Sequence, residues 1–277
     1  MNGLIIDLDG TVYSGNTLIP GAREFIESIQ IQKIPYLFVT NNSYRNPEDI
    51  AGKLIDLGIN AKKEDIYTSS LATVEYIKHK LDKKRISVIG GERLKEAFQE
   101  AGYTLSNLEQ TEVIIQGVDP SFTYETLEKC VNRLLAGADY ILTNPDLLIP
   151  IEGGFSPGAG SIAAAIQSAS QVKPKIIGKP SSIIMEYAIK KLGLPNEKVI
   201  VVGDNLLTDM HAGYKAKCQT AWIMTGLAPQ QKEQGILEKQ AFQPDFICEN
   251  LKTFLIELEA VGVLAKQGPG KKHQYAK

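Results

Sequence analysis

Two carboxylates, Asp7 and Asp9, stand two residues apart behind the apolar run Gly3 to Ile6, and Gly10-Thr11 follows them. A strand that merely ends in a turn needs one Asp to bond its own backbone. A second acid adds like-charge repulsion and asks for a chemical reason. Two other apolar runs also end in polar groups: Thr40-Asn41-Asn42-Ser43 closes the second, and Asp204 closes the VIVVG run, with Asp209 five residues on. In an open parallel sheet the ligand crevice lies beyond the carboxyl ends of the strands, where strand order reverses. Neighbouring strands would therefore gather Asp7, Asp9, Thr40, Asp204 and Asp209 in one crevice. Four acids there repel one another, and a divalent cation is the simplest remedy. With carboxylates and carbonyls as donors and no converging His or Cys, Mg2+ fits best, because it takes few protein carboxylates and completes its octahedron with water and phosphate oxygens.

The elements that must position these groups are read from hydrophobic pattern. Short apolar runs alternate with helical periodicity along the chain, which predicts an α/β architecture with a mainly parallel sheet. Residues 3–7, 35–40, 199–203 and 220–224 read as buried strands. Phe25, Ile26 and Ile29 fall at helical spacing, and 47–57 reads as a helix with Pro47 at its start and Gly58 behind its end. The middle repeats the style, with strands at 86–90, 113–117 and 140–143 and helices at 92–101, 124–136 and 160–169. The expected organisation is a discontinuous core, 1–82 and 175–265, carrying an inserted unit, 83–174. The tail 266–277, KQGPGKKHQYAK, has little to bury and is expected to be disordered.

Composition excludes several classes. A formal charge of −2 over 277 residues gives no strong field for nucleic acid or anionic membrane, so a bound anion must be caught locally. Cys130, Cys218 and Cys248 have neither disulfide-framework nor zinc spacing. No run of about 18 apolar residues occurs, and a cytoplasmic protein is expected. His79 and His273 read as surface residues, His211 as a neighbour of the acidic motif, and Trp222 as core.

Taken in order, Asp7-Leu8-Asp9-Gly10-Thr11-Val12, Thr40-Asn41-Asn42-Ser43, Gly178-Lys179-Pro180 and Gly203-Asp204-Asn205 with Thr208-Asp209 resemble the four motifs of haloacid-dehalogenase (HAD) superfamily phosphatases. The match extends over most of the chain. Thr143-Asn144-Pro145-Asp146 and the stretch 156–166 further resemble the NagD-like branch, which holds p-nitrophenyl-phosphatase and sugar- or nucleotide-phosphatase relatives with a large cap between the second and third motifs. The resemblance implies a Rossmann-like parallel-sheet core with an inserted α/β cap, and a Mg2+-dependent phosphatase acting on a small phosphorylated metabolite. It also allows a homodimer.

Roles follow residue by residue from that resemblance. Asp7 would be the nucleophile, forming an aspartyl-phosphate; Asp9 would be general acid and then general base. Strand alternation would put these two side chains on one side and Leu8 on the other. Thr40 and the Asn41 amide would hold the phosphoryl group, and Lys179 would offset its charge. Asp7, Asp204 and the backbone carbonyl of Asp9 would hold the metal, with Asp209 in its outer shell or on Lys179. Asn144, Asp146, Glu152 and Phe155, with Leu147 and Leu148, are candidates for facing the substrate. The alternatives are a phosphomutase on the same core and a non-catalytic phosphoryl-ligand-binding module; a dehalogenase is disfavoured because such relatives lack the second acid.

Overall fold

Successive residues of the first apolar run pack on opposite sides in the computed structural model, which describes residues 2–82, 84–151 and 153–265. The chain begins with β1 (Gly3–Ile6), a small hairpin of β2 (Tyr13–Ser14) and β3 (Thr17–Leu18), α1 (Ala22–Ile31), β4 (Tyr36–Thr40), α2 (Pro47–Asp56), β5 (Ile66–Thr68) and α3 (Ser69–Lys80). A second series follows: β6 (Ile86–Ile89), α4 (Glu92–Glu100), β7 (Val113–Gln116), α5 (Tyr124–Leu135), β8 (Asp139–Leu142), the hairpin of β9 (Leu148–Ile151) and β10 (Gly154–Pro157), α6 (Ala159–Ser170) and β11 (Lys175–Ile176). The chain then returns through α7 (Ser182–Leu192), β12 (Val199–Gly203), a π-helical turn (Leu206–Met210), α8 (His211–Lys215), β13 (Gln219–Ile223), α9 (Ala228–Glu233), β14 (Phe246–Cys248) and α10 (Leu251–Ala260).

The core sheet runs β14-β13-β12-β1-β4-β5 with every pair parallel. Both faces are covered, which is why its strands read as unbroken apolar runs. Leu4, Ile6, Phe38, Ile200 and Val202 pack with Phe25, Ile29, Leu54 and Phe254 from α1, α2 and α10. On the other face Ile5, Leu37, Val39 and Val201 meet Ile77, Ile184 and Met185 from α3 and α7. From β1 the chain moves to β4 on one side and, after the second series, to β12 on the other. The carboxyl ends of β1, β4 and β12 therefore border one crevice at the reversal of strand order.

The second, cap sheet runs β11-β8-β7-β6, also parallel. Ile114, Tyr140 and Leu142 lie under Cys130, Leu134, Ala163 and Ile166 of α5 and α6. Val113, Ile115 and Ile141 join Leu94 and Phe98 of α4 in the same apolar cluster as the core's α3 face, so the two sheets share buried surface. Lys175 and Ile176, expected to open the returning half of the core, pair instead with Ile141 and Leu142. The ladder continues through Ile177 N–H to Leu142 O (3.0 Å) and Gly178 N–H to Thr143 O (2.8 Å), so the chain leaves the cap sheet at Gly178. The tail 266–277 lies outside the described residues.

Candidate active site

Asp7 stands one residue beyond β1, and its N–H donates to Val202 O at 2.9 Å, extending the register with β12 to the acid. Its carboxylate is buried and accepts a hydrogen bond from the Lys179 ammonium. That ammonium also donates to Asp209 Oδ1 at 2.6 Å and to the Val39 carbonyl at 3.2 Å. Lys179 thus bridges the ends of β1 and β4 to the π-helical turn that carries Asp209. Thr11 sits between the remaining acids, its hydroxyl 3.2 Å from Asp204 Oδ1 and 3.4 Å from Asp7 Oδ2.

Asp204, directly behind β12, is fixed from several directions. Leu227 N–H donates to its Oδ2 at 2.7 Å, and Trp222 Nε1–H to its backbone carbonyl at 2.9 Å. Two glycines permit the close approach. A Cβ on Gly10, at φ +90°, would lie 2.4 Å from Asp204 Oδ2; one on Gly226, at φ +48°, would lie 2.0 Å away. Both positions combine left-handed backbone with missing space, so a side chain is doubly excluded.

Asp7, Asp204 and Asp209 each offer an oxygen within 4.8 Å of the others, and all three are buried. Their ionised charge against one ammonium leaves a formal −2. Burial raises the Asp7 carboxyl well above the ordinary carboxylate range; Lys179 opposes that rise, and Asp209 and Asp204 add to it. Burial, with Asp209 beside it, pushes Asp204 up to about 7. Burial alone would lower Lys179, yet Asp209 and Asp7 hold it protonated, above its ordinary value. An all-oxygen donor set with this surplus of negative charge fits a hard divalent cation such as magnesium.

Asp9 occupies a different position. Strand β1 ends at Ile6, but Leu8 still points into the core, fully buried, while Asp9 opens toward solvent. Its Oδ2 accepts a hydrogen bond of 3.4 Å from the Tyr13 hydroxyl. Partial burial raises its carboxyl, against the pull of Lys53 and of Tyr13. Its carboxylate is therefore outside the group formed by Asp7, Asp204 and Asp209.

The Thr40 hydroxyl is buried at the end of β4 and accepts from Asn42 N–H at 3.1 Å, keeping its own proton for another acceptor. Asn41 acts through its side chain: Oδ1 accepts from Lys179 N–H at 2.8 Å, and Nδ2 donates to Lys179 O and to Asp146 Oδ2, both at 2.9 Å. Asn144 Oδ1 accepts from Ser43 Oγ (3.1 Å), and its Nδ2 donates to Asp146 (2.7 Å). Asn144 and Asp146, expected at the substrate, thus bond the core to the cap. Phe155, on β10, is 67% exposed, and Leu147 and Leu148 are also exposed. Glu152 lies outside the described residues. His211 packs against Phe242 and His79 stacks on Tyr187, while His273 is outside the described residues.

Sequence reasoning did not assign Thr11, Tyr13, Leu227 or the Asn41 side chain. Thr11 and Tyr13 had a usable signal in their nearness to Asp7 and Asp9; the Leu227 contact is made by backbone, which residue type does not reveal. Trp222 is core as expected, and its indole N–H supports the site as well.

Comparison with known proteins gives the family. A family model described as haloacid dehalogenase-like hydrolase matches residues 4–104, and one described as HAD-hydrolase-like matches residues 176–254. The acid sugar phosphatase of Staphylococcus aureus (strain MRSA252) is 38% identical over 92% of this chain and 97% of its own. The 5'-nucleotidase YutF of Bacillus subtilis (strain 168) is 38% identical over 89% of this chain and 96% of its own. Among solved structures, NagD from E. coli K-12 superposes with a TM-score of 0.84 at 29% identity, covering 91% of this chain and 97% of that one. The chain belongs to the haloacid dehalogenase-like hydrolases, as a phosphatase of their NagD-like branch. Among the described residues no helix is long and apolar enough to cross a membrane.

Proposed function

We propose that the chain hydrolyses phosphomonoesters of small metabolites, sugar phosphates or nucleoside monophosphates, with Mg2+ as cofactor and Asp7 as nucleophile. The observation that carries this reading is the buried group of Asp7, Asp204, Asp209 and Lys179 at the carboxyl ends of β1, β4 and β12. The names of the two curated relatives support the substrate class.

Asp7, Asp204 and the Asp9 carbonyl would hold the ion, which when bound supplies positive charge to the acids and the phosphate oxygens. Lys179, held by Asp209, faces Asp7 and adds a fixed positive charge where the phosphoryl oxygens gather negative charge. The Thr40 hydroxyl donates to a phosphoryl oxygen. An Asp7 oxygen attacks phosphorus, and the bond to the ester oxygen breaks. Asp9 protonates that leaving oxygen, then takes a proton from the water that hydrolyses the aspartyl-phosphate. The cap covers the crevice and favours small substrates over folded proteins.

Phosphate release from p-nitrophenyl phosphate, measured for wild type and Asp7→Asn with Mg2+ and with a chelator, tests the reading. Mg2+-dependent release is expected in wild type and a loss of more than about 10⁴-fold in the variant. Undiminished release by Asp7→Asn would refute the assignment.

A further inference from the structure

The hairpin of β2 and β3 turns a buried tyrosine toward the proposed acid. Tyr13 is 4% exposed, packs in the cluster under α1 and α2, and carries the Lys53 ammonium 3.7 Å from its ring centroid. Its hydroxyl donates to Asp9 Oδ2 at 3.4 Å, long for a hydroxyl–carboxylate bond. The backbone closes the same turn: Gly10 N–H donates to Tyr13 O at 2.8 Å, Tyr13 N–H to Leu8 O at 3.2 Å, and Tyr13 pairs with Leu18. The residues on either side of Asp9 are therefore tied to the strand that carries the tyrosine. A phenol is protonated at neutral pH, so Tyr13 is a donor.

A carboxyl group has two oxygens and rotates about one bond. Once Oδ2 accepts a hydrogen bond from a fixed phenol, the acidic proton belongs on Oδ1, and Oδ1 has a defined direction. We propose that Tyr13, seated by Lys53, is a positioning residue for Asp9: it occupies Oδ2 and aims Oδ1 at the leaving oxygen. The proposal rests on the reading of Asp9 as general acid. As Asp7 bonds to phosphorus, the bond from phosphorus to the ester oxygen breaks and its electron pair stays on that oxygen. The proton of Asp9 Oδ1 passes to it, and Tyr13 keeps its own.

The test is the dependence of kcat/KM, which reads the step that expels the leaving group and not the later hydrolysis common to all esters, on leaving-group basicity, using phenyl phosphate and p-nitrophenyl phosphate, which differ little in shape. The nitrophenolate leaves without help; the phenolate needs the proton. Tyr13→Phe keeps the ring and the packing, and is expected to lose about 10-fold more kcat/KM on phenyl phosphate than on p-nitrophenyl phosphate. Lys53→Met keeps the aliphatic stem and is expected to shift the same ratio in the same direction by less. Equal losses on both esters, or none, would mean that Tyr13 only fills space and would overturn the proposal. Asp9→Asn separates the two levels. If its loss does not depend on the leaving group, the reading of Asp9 fails and the proposal with it. If it does and that of Tyr13→Phe does not, only the proposal fails.

Discussion

Lys179 is the residue on which the charge balance of the crevice turns. It is 3% exposed, yet it is satisfied by Asp7, Asp209 and the Val39 carbonyl, three acceptors for three ammonium protons. Removing one member of a buried ion pair leaves charge without compensation, which costs on the order of 3–5 kcal/mol. Lys179→Met nearly conserves volume and is expected to lower thermal stability by that order in chelator. Mg2+ is expected to restore much of the loss, because the cation takes over neutralisation of Asp7. Thermal denaturation with and without Mg2+ checks this; a variant as stable as wild type in chelator would contradict it. In turnover the same variant is expected to lose activity even when stable, because the fixed charge facing Asp7 is gone.

At the scale of elements, the strand ends decide which groups meet. Gly10 follows Asp9 and Gly226 precedes Leu227, and both leave room for the Asp204 carboxylate. Gly10→Ala places a methyl group inside the Asp204 contact distance and strains a backbone at φ +90°. It is expected to raise the Mg2+ concentration for half-maximal activity by about 10-fold or more, as disturbed supports of metal ligands do. A Mg2+ titration of phosphate release reads the effect; an unchanged midpoint in a folded variant would count against Asp204 as a ligand. The same elements divide what sequence makes legible from what it does not. Strand β12 was readable to the residue because VIVVG is buried on both faces, and α2 because Pro47 and Gly58 mark its ends. The edge strand β5 has three residues, and α3 buries Ser69, Ser70 and Thr73 along with Ala72, Val74 and Ile77, so neither leaves a clean periodic signal. Strand β11 is two residues beside a Lys-Pro pair that resembles a linker. The motif acids and Lys179 were legible because Asp and Lys announce chemistry by type. The double use of Asn41, Asn144 and Asp146 as core-to-cap bonds was not, because a hydrogen bond across 105 residues has no local pattern.

Over the whole molecule, the core and cap meet through a shared apolar cluster, through the Asn41, Ser43, Asn144 and Asp146 bonds, and through the Asp49–Arg93 ion pair at 3.3 Å. Asp7 and Asp204 are buried and bind protons more tightly in the folded chain, so their ionisation is linked to global stability. Asp7 and Asp204 both have folded-state values raised above the ordinary 3.8, Asp204 to about 7. Between those values the folded state binds more protons than the unfolded one, so without a cation stability falls as pH rises through this window. For Asp204 the full loss is on the order of 4 kcal/mol, reached above its folded value. A cation that binds the ionised acids offsets the loss. The rise in melting temperature on adding Mg2+ is therefore expected to be small near pH 4 and to grow toward pH 7 and above. Asp204→Asn is expected to flatten that growth. Scanning calorimetry across this range, with Mg2+ and with chelator, reads both; a Mg2+ increment independent of pH would contradict the linkage.

The covalent role of Asp7 is tested most directly by stopping the reaction in acid with a radiolabelled phosphate ester and mapping the labelled peptide. Label is expected on the peptide that contains Asp7, released by hydroxylamine as an acyl phosphate requires and absent from Asp7→Asn. Rapid phosphate release with no label on the chain, or label on a peptide without Asp7, would contradict the account.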